Sequence, residues 1–103
     1  MSSTLAELSD KVARVSDIYE ARTGISRDAD WYALKLSEEL GELTAEYLRT
    51  TARGRKGAEH AEDSHIQLAD ETADLFAHLL LFAAAQGIDI EAALKRKWFK
   101  YLP

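Results

Sequence analysis

Residues 75–86 form a long stretch with no Asp, Glu, Lys or Arg. A helix that is apolar nearly all round lies in the middle of a bundle. The stretch is too short to cross a bilayer, which needs about 20 apolar residues. Glu71 and Asp74 come just before it, so two carboxylates are expected beside the most buried helix. Burying bare carboxylates is unfavourable unless they are paired or bind a metal ion.

A second acidic cluster, Glu38-Glu39-Leu40-Gly41-Glu42, lies earlier in the chain. Residues three or four apart share one face of a helix. If the two acidic helices pack side by side, four or five carboxylates converge, and they repel one another unless a cation lies among them. Oxygen ligands favour Mg²⁺, Mn²⁺ or Ca²⁺. The alternative is a solvated acidic helix face, which is the usual explanation for a single cluster.

The composition predicts one globular domain over residues 1–103, since 47% of the residues are hydrophobic and 30% are charged. A net charge of −5 argues against a nucleic-acid partner, which a basic face would attract. The absence of cysteine excludes disulfides, zinc–thiolate sites and thiol nucleophiles. Because no signal peptide opens the sequence, we expect a cytoplasmic protein without a membrane partner.

Hydrophobic periodicity predicts that the chain is helical. The first helix begins at a capping box formed by Thr4 and Glu7 and stops at Gly24. Its apolar residues recur every three or four positions and are Leu5, Leu8, Val12, Val15 and Tyr19. Its polar face carries Asp10, Lys11, Arg14 and Asp17. The pattern is typical of a scaffold helix or a subunit interface.

The second helix is expected over residues 31–50, capped by Asp28 or Asp30. The residues predicted to face the core are Leu36, Leu40, Leu43 and Tyr47. Lys35 and the glutamates lie on the adjoining flank, at the edge of the core. Gly41 inside this helix would be explained by a close helix crossing, by a bulky ligand or by sequence drift.

The third helix is expected to begin at Asp63 or Ser64 and to end at Gly87, and Asp89 can cap a fourth. The fourth helix has a basic side made of Lys95, Arg96, Lys97 and Lys100. These cations suit the helix dipole or bind phosphate. We therefore predict an all-α fold, a four-helix antiparallel bundle whose modest core is completed by oligomerisation.

Three further features have two interpretations each. The basic loop from Arg53 to Lys56 could reach phosphates or could be solvated. His78, one turn after Asp74, could orient a metal-binding carboxylate or could be a hydrogen-bonded core residue. Trp31 could stack on a nucleobase or pack in the core.

The pattern EExxE at residues 38–42, followed by ExxD at residues 71–74, resembles the MazG-like all-α nucleoside triphosphate pyrophosphohydrolases. The surrounding sequences LKLSEELGELTAEYLR and LADETADLFAHLLLFAAAQGIDIEAALKRKW agree with it. The resemblance covers about residues 31–101. It implies a dimer or tetramer that hydrolyses a nucleoside triphosphate between its α and β phosphates, releasing a monophosphate and pyrophosphate.

The resemblance also implies roles for individual residues. It makes Glu38 the residue that orients or deprotonates the attacking water, and it makes Lys97 and Lys100 phosphate contacts. The metal-binding acids it implies are Glu39, Glu42, Glu71 and Asp74, with Mg²⁺, or Mn²⁺, as the cofactor. We add Lys35 and Trp31 as candidate substrate contacts. The sequence departs from many relatives at Tyr101, where they have Asn.

Two alternatives to a general nucleoside triphosphate pyrophosphohydrolase stay open. One is a non-catalytic helical module that binds a divalent ion or a nucleotide. The other is a phosphoribosyl-ATP pyrophosphatase. Physical reasoning favours hydrolysis, because Mg²⁺ neutralises phosphate charge and a nearby carboxylate can take a proton from water.

Overall fold

The computed structural model describes residues 3–51 and 61–103, with side chains from residue 65 onward in the second stretch. These residues form four α-helices and a final 3-10 turn, without a strand. The elements are α1 (Leu5–Thr23), α2 (Ala29–Thr50), α3 (Ala61–Ala85), α4 (Ile90–Lys97) and the 3-10 turn (Phe99–Tyr101). The predicted all-α class is confirmed. Helix α3 begins before the predicted Asp63 or Ser64.

Local capping signals set where three of the helices begin. The Thr4 hydroxyl accepts the Glu7 N–H at 3.1 Å, and the Glu7 carboxylate accepts the Thr4 N–H at 3.1 Å. The hydrogen bond from the Thr4 backbone to the Glu7 carboxylate, followed by the effect of the Thr4 side chain, lowers the pKa of Glu7. Of the two caps considered for α2, Asp28 is the one used, and it accepts the Trp31 N–H at 2.7 Å. Asp89 caps α4 as predicted.

Two glycines in the left-handed region end α1 and follow α3. Gly24 has φ +74° and Gly87 has φ +67°. A side chain at either position would be strained, because β-carbons disfavour positive φ. Both chain reversals were therefore visible in the sequence.

Helices α2 and α3 pack against each other in opposite directions. Arg49, near the end of α2, donates a hydrogen bond to Gln67, near the start of α3. At the other end, the Trp31 ring meets the His78 ring edge-on, with centroids 5.8 Å apart. Because late positions of α2 meet early positions of α3, the pair is antiparallel.

Helix α1 also runs antiparallel to α3. Leu5 and Ala6 share a cavity of about 340 Å³ with Leu80 and Ala84. Residues later in α1 line a larger cavity together with residues earlier in α3. Helix α1 thus forms a wall over α3, with open space between them.

A single Arg side chain ties the end of α1 to the turn before α2. Arg27 donates to the Ser16 hydroxyl and to the carboxylates of Asp17 and Glu20, each at 2.8 Å. The hydrogen bond to Glu20, followed by that to Asp17, raises the pKa of Arg27 further above its ordinary value. This contact orients α1 relative to the rest of the chain.

The core of the single chain is small. Among the described side chains, the apolar residues that are fully buried are Leu80, Leu81 and Ala83, all within the uncharged stretch of α3. The prediction that Leu40 and Tyr47 face the core is wrong for the single chain, where they are 52% and 48% exposed. The radius of gyration is 16.2 Å, against about 13 Å for a compact domain of 100 residues.

No single helix in the described part of the chain is long and apolar enough to cross a membrane. The segments His65–Ala85 and Ile90–Tyr101 meet that standard only as a pair, and they are bent by 95° relative to each other.

Candidate active site

Glu39 is a charged side chain that the α2–α3 contact buries. Its exposed fraction is 6%. One carboxylate oxygen, Oε1, lies 3.5 Å from the Lys35 Nζ and 3.7 Å from the His78 Nε2. The other oxygen, Oε2, is buried and has no hydrogen-bond partner among the described residues. A buried, ionised oxygen without a hydrogen-bond partner is energetically unfavourable unless a cation lies beside it.

Two groups of carboxylates meet at Glu39. Glu38 and Glu42 join it in one group, and Glu71 and Asp74 join it in the other. In each group one oxygen per residue lies within 4.8 Å of the others. The predicted adjacency of the two acidic helices is therefore confirmed. The five acids form two overlapping groups that share Glu39 rather than one ring.

The donor set of these groups fits a divalent cation. All the candidate ligands are carboxylate oxygens, which suit hard ions. Glu71 resembles Glu39 in having a buried Oε2 atom without a described hydrogen-bond partner. Two unpartnered oxygens on facing helices, both from carboxylates, provide ligand positions that the polypeptide itself does not use.

Lys35 is the cation that the chain itself supplies to the site. Its Nζ donates to the Glu38 carboxylate at 3.2 Å and lies 5.9 Å from the Trp31 ring centroid. Partial burial acts to lower the pKa of Lys35, but the hydrogen bond to Glu38 and the charges of Glu38 and Glu39 outweigh it and raise that pKa. Lys35 therefore stays protonated and offsets part of the carboxylate charge.

His78 borders the same carboxylates from α3. Its partial burial lowers its pKa, against the opposing effect of the Glu39 charge, so the ring is neutral at pH 7. Its Nδ1 atom is buried without a hydrogen-bond partner among the described residues. His78 thus lies beside Glu39, as a residue that orients that carboxylate would. The interpretation as a hydrogen-bonded core residue is not met among the described residues, because the Nε2 atom is 3.7 Å from Glu39, too far for a hydrogen bond.

A groove of about 560 Å³ opens between α1, α2 and α3 next to these acids. Its apolar and aromatic walls are Val12, Val15, Tyr19, Ile25, Trp31, Ala77 and Leu81. Its polar positions are Lys11, Ser16, Lys35, Glu39, Asp74 and His78. Small-molecule sites typically have about 300–1,000 Å³ with apolar walls and a few polar groups. The groove is thus large enough for a nucleoside.

The structure brings most of the predicted site residues together. Trp31 and Lys35 line the groove, and Glu38 and Glu42 lie beside it in the first carboxylate group. Lys97 and Lys100 are exposed and do not line the groove in the single chain. The predicted basic loop from Arg53 to Lys56 lies outside the described residues.

Sequence reasoning missed part of the groove, and one of the three explanations for Gly41 is wrong. Lys11 was assigned to the polar face of α1, and Ser16 and Ile25 were not singled out, although all three line the groove. The sequence did contain a signal for Lys11, because it lies three residues after the apolar Leu8 and so on the same face of the helix. A β-carbon at Gly41 would meet nothing within 4 Å, so no close helix crossing occurs there.

The site thus consists of carboxylates on an antiparallel helix pair beside a nucleoside-sized groove in an all-α fold. The family model described as phosphoribosyl-ATP pyrophosphohydrolase (PRA-PH) matches residues 4–96. The chain belongs to this family, which is part of the MazG-like superfamily. It is therefore a pyrophosphohydrolase, a hydrolase that acts on a phosphoanhydride bond of a nucleotide. Searches of curated proteins and of solved structures found no significant match.

Proposed function

We propose that this protein is a Mg²⁺-dependent enzyme that hydrolyses the bond between the α and β phosphates of phosphoribosyl-ATP. The products are pyrophosphate and phosphoribosyl-AMP. The observation that carries the proposal is the buried Glu39 carboxylate, shared by two oxygen groups and bordering the groove. The description of the matching family supports the choice of substrate.

Four acids would hold the cation: Glu39, Glu42, Glu71 and Asp74. Their oxygens are the ligands that Mg²⁺ and Mn²⁺ accept, and Mg²⁺ commonly binds through one or two carboxylates together with substrate phosphates. When bound, the cation neutralises charge on the phosphate oxygens and orients the bond that breaks. Phosphoryl transfer requires positioning and charge stabilisation more than covalent chemistry.

The side chains beside the acids complete the proposed reaction. Glu38 is positioned by the Lys35 ammonium at 3.2 Å, and its carboxylate can accept the proton of the attacking water. The groove walls, including Trp31, would hold the base and ribose away from bulk solvent. Lys35 would contribute positive charge near the phosphates.

We also propose that the protein acts as a dimer or tetramer. Large apolar side chains are exposed on α1, α2 and α3 and after α4, including Ile18, Leu34 and Ile66. Many large apolar side chains left exposed in one chain are what a further copy of the chain would cover. In such an assembly, Lys97 and Lys100 of one subunit would reach the phosphates held by another.

A second candidate substrate is an ordinary nucleoside or deoxynucleoside triphosphate. The EExxE and ExxD motifs, which resemble those of the MazG-like enzymes as a whole, favour it. The bond cleaved and the residues used would be the same, and only the groove distinguishes the two substrates.

A substrate panel tests the proposal. Phosphoribosyl-ATP, ATP and the other common nucleotides are incubated with the protein and Mg²⁺, and released pyrophosphate is measured. We expect release from phosphoribosyl-ATP, its loss in EDTA and in the Glu42→Ala/Asp74→Ala double variant, and recovery when Mg²⁺ is restored to the wild type. Asp70→Asn is the matched control, because Asp70 precedes Glu71 but is exposed and outside both carboxylate groups. Equal activity in the double variant would refute the assignment.

A further inference from the structure

Lys11 differs from Arg14, another basic residue of α1, in where its charge lies. Arg14 is exposed and forms an ion pair with Asp10 one turn earlier, at 3.3 Å. Lys11 lines the groove and has no ion pair with a carboxylate in the described part of the chain. Its ammonium group is therefore available to an anion that enters the groove.

Lys11 lies toward the end of the groove that is farther from the acids. The groove-lining part of α1 extends from Lys11 to Tyr19, about 12 Å at 1.5 Å per residue. Because α1 and α3 are antiparallel, Lys11 lies nearer the Leu81 end of the lined stretch of α3 and Tyr19 lies nearer the Asp74 end. The distance from the Lys11 level to the acidic end is thus comparable to the length of a nucleoside.

The wall between these two ends is mainly apolar. Val12 and Val15 of α1 face Ala77 and Leu81 of α3 across the groove. A flat, uncharged group such as a nucleobase suits this middle section. The groove therefore offers a cation-binding acidic end, an apolar middle and a basic far end.

Phosphoribosyl-ATP has a matching charge distribution. It carries a triphosphate on one ribose and a single phosphate on a second ribose, with the base between the two sugars. ATP has the triphosphate and the base but lacks the second sugar and its phosphate. We propose that Lys11 binds this second phosphate and makes the enzyme prefer phosphoribosyl-ATP to ATP, an inference that rests on the proposed function. Lysine binds phosphate as a compact point charge.

Comparing the two substrates in Lys11 variants tests the proposal. In Lys11→Gln, kcat/KM for phosphoribosyl-ATP should fall about tenfold, mainly through a higher KM, as expected for one charge-assisted contact at a partly open site. For ATP, kcat/KM of the variant should stay within about twofold of the wild-type value, because ATP lacks the group that Lys11 contacts. If ATP is not hydrolysed, its inhibition constant against phosphoribosyl-ATP replaces kcat/KM.

Two further variants separate a local contact from a change of overall charge. Arg14→Gln removes the same charge from the same helix outside the groove, and it should leave both substrates unaffected. Lys11→Arg keeps the charge and should retain most of the preference. The assays are run at about 150 mM salt, which screens the long-range attraction between the protein's charges and the substrate.

The failures of the two proposals can be told apart. If wild-type protein releases pyrophosphate from phosphoribosyl-ATP but Lys11→Gln loses nothing, or loses equally on ATP, the role of Lys11 is refuted and the proposed function stands. A wild type that does not prefer phosphoribosyl-ATP also refutes it. If no nucleotide is hydrolysed under any condition, the proposed function fails and the role of Lys11 fails with it.

Discussion

The α2–α3 pair and the chain after α4 differ in how completely one copy of the molecule covers them. In the pair, Glu39 is almost fully enclosed and Leu80 is 3% exposed. After α4, Trp98 and Tyr101 are 65% and 79% exposed, although both are large and aromatic. The residues that would bind the cation are thus organised within one chain. The apolar and basic residues after α4 are not covered in this way by the described residues of the same chain.

This difference suggests a division of labour between folding and assembly. Burying a large apolar side chain stabilises a protein by about 1.5–3 kcal/mol, so the end after α4 and the outer face of α1 would gain from contact with another copy. The carboxylate cluster between α2 and α3 has less to gain, because Glu39 is already buried, although the outer faces of both helices also expose apolar side chains such as Leu34 and Ile66. The predictions below test whether the two regions are as separable as this comparison implies.

The largest effect is expected at the centre of the enclosed region. Glu39→Gln keeps the shape of the side chain but removes the charge shared by the two carboxylate groups, so activity should fall at least about a hundredfold. The helical circular dichroism should persist, and the rise of Tm with added Mg²⁺ should disappear. Asp70→Asn should behave like wild type in all three measurements. Retention of the Mg²⁺-dependent Tm rise in Glu39→Gln would show that Glu39 is not a ligand.

The second effect concerns the uncovered face of α1. Ile18 is 58% exposed in the single chain, and Ile18→Glu would place a charge in any interface that covers it, which costs several kcal/mol. Light scattering after size-exclusion chromatography should show a shift toward the monomer.

Ile18→Val is the matched control for this experiment. It changes the side chain at the same position without adding a charge, so the measured mass should stay that of the wild type. An unchanged mass for Ile18→Glu, with a wild type already larger than one chain, would place the interface elsewhere.

A smaller effect is expected where α1 is joined to the enclosed region. Arg27→Ala removes hydrogen bonds to Ser16, Asp17 and Glu20. The carboxylates remain well exposed, so the loss in the free energy of unfolding should be only about 1–2 kcal/mol. Urea denaturation measures it, with Arg22→Ala as an exposed control in the last turn of α1. A loss no larger than that of the control would mean that α1 is held in place by its apolar seam alone.

The smallest effect is expected at the capping box of α1. Thr4→Ala should lower Tm by about 4 °C at pH 7. Because folding lowers the pKa of Glu7, the stabilisation is present above the ordinary glutamate pKa and is lost as the pH falls through the lower, folded-state value. Glu7→Ala removes the carboxylate that accepts the Thr4 backbone N–H, so the difference in Tm between Glu7→Ala and wild type should shrink in acid. A difference that is constant down to about pH 3 would exclude the ionised Glu7 from the cap.

Features set by neighbouring residues could be predicted from the sequence. The Thr4 and Asp89 caps and the Gly24 turn depend on a few adjacent residues, so their signals are complete in a short segment. The adjacency of α2 and α3 was also predictable, since Glu71 and Asp74 beside an uncharged helix required partners. Those partners are the glutamates of α2.

Features set by distant parts of the molecule could not be predicted. Leu40 and Tyr47 belong to a regular apolar pattern, but the pattern does not say whether the covering surface belongs to the same chain. The position of Lys11 in the groove depends on how α1 is rotated about its own axis over α3. The spacing of apolar residues fixes that rotation only to about one residue in the 3.6 of a helical turn. For Lys97 and Lys100, proximity to the acids stays a prediction.

The position of Lys35 has a consequence for how the site is assembled. Its ammonium group lies within 3.5 Å of Glu39 and donates to Glu38, so the protein carries its own counterion to the acids. In the proposed enzyme, Lys35 would thus offset part of the carboxylate charge before the ion binds. Loading would then be reversible, and the ion that occupies the site would follow the supply of free divalent ions around the enzyme.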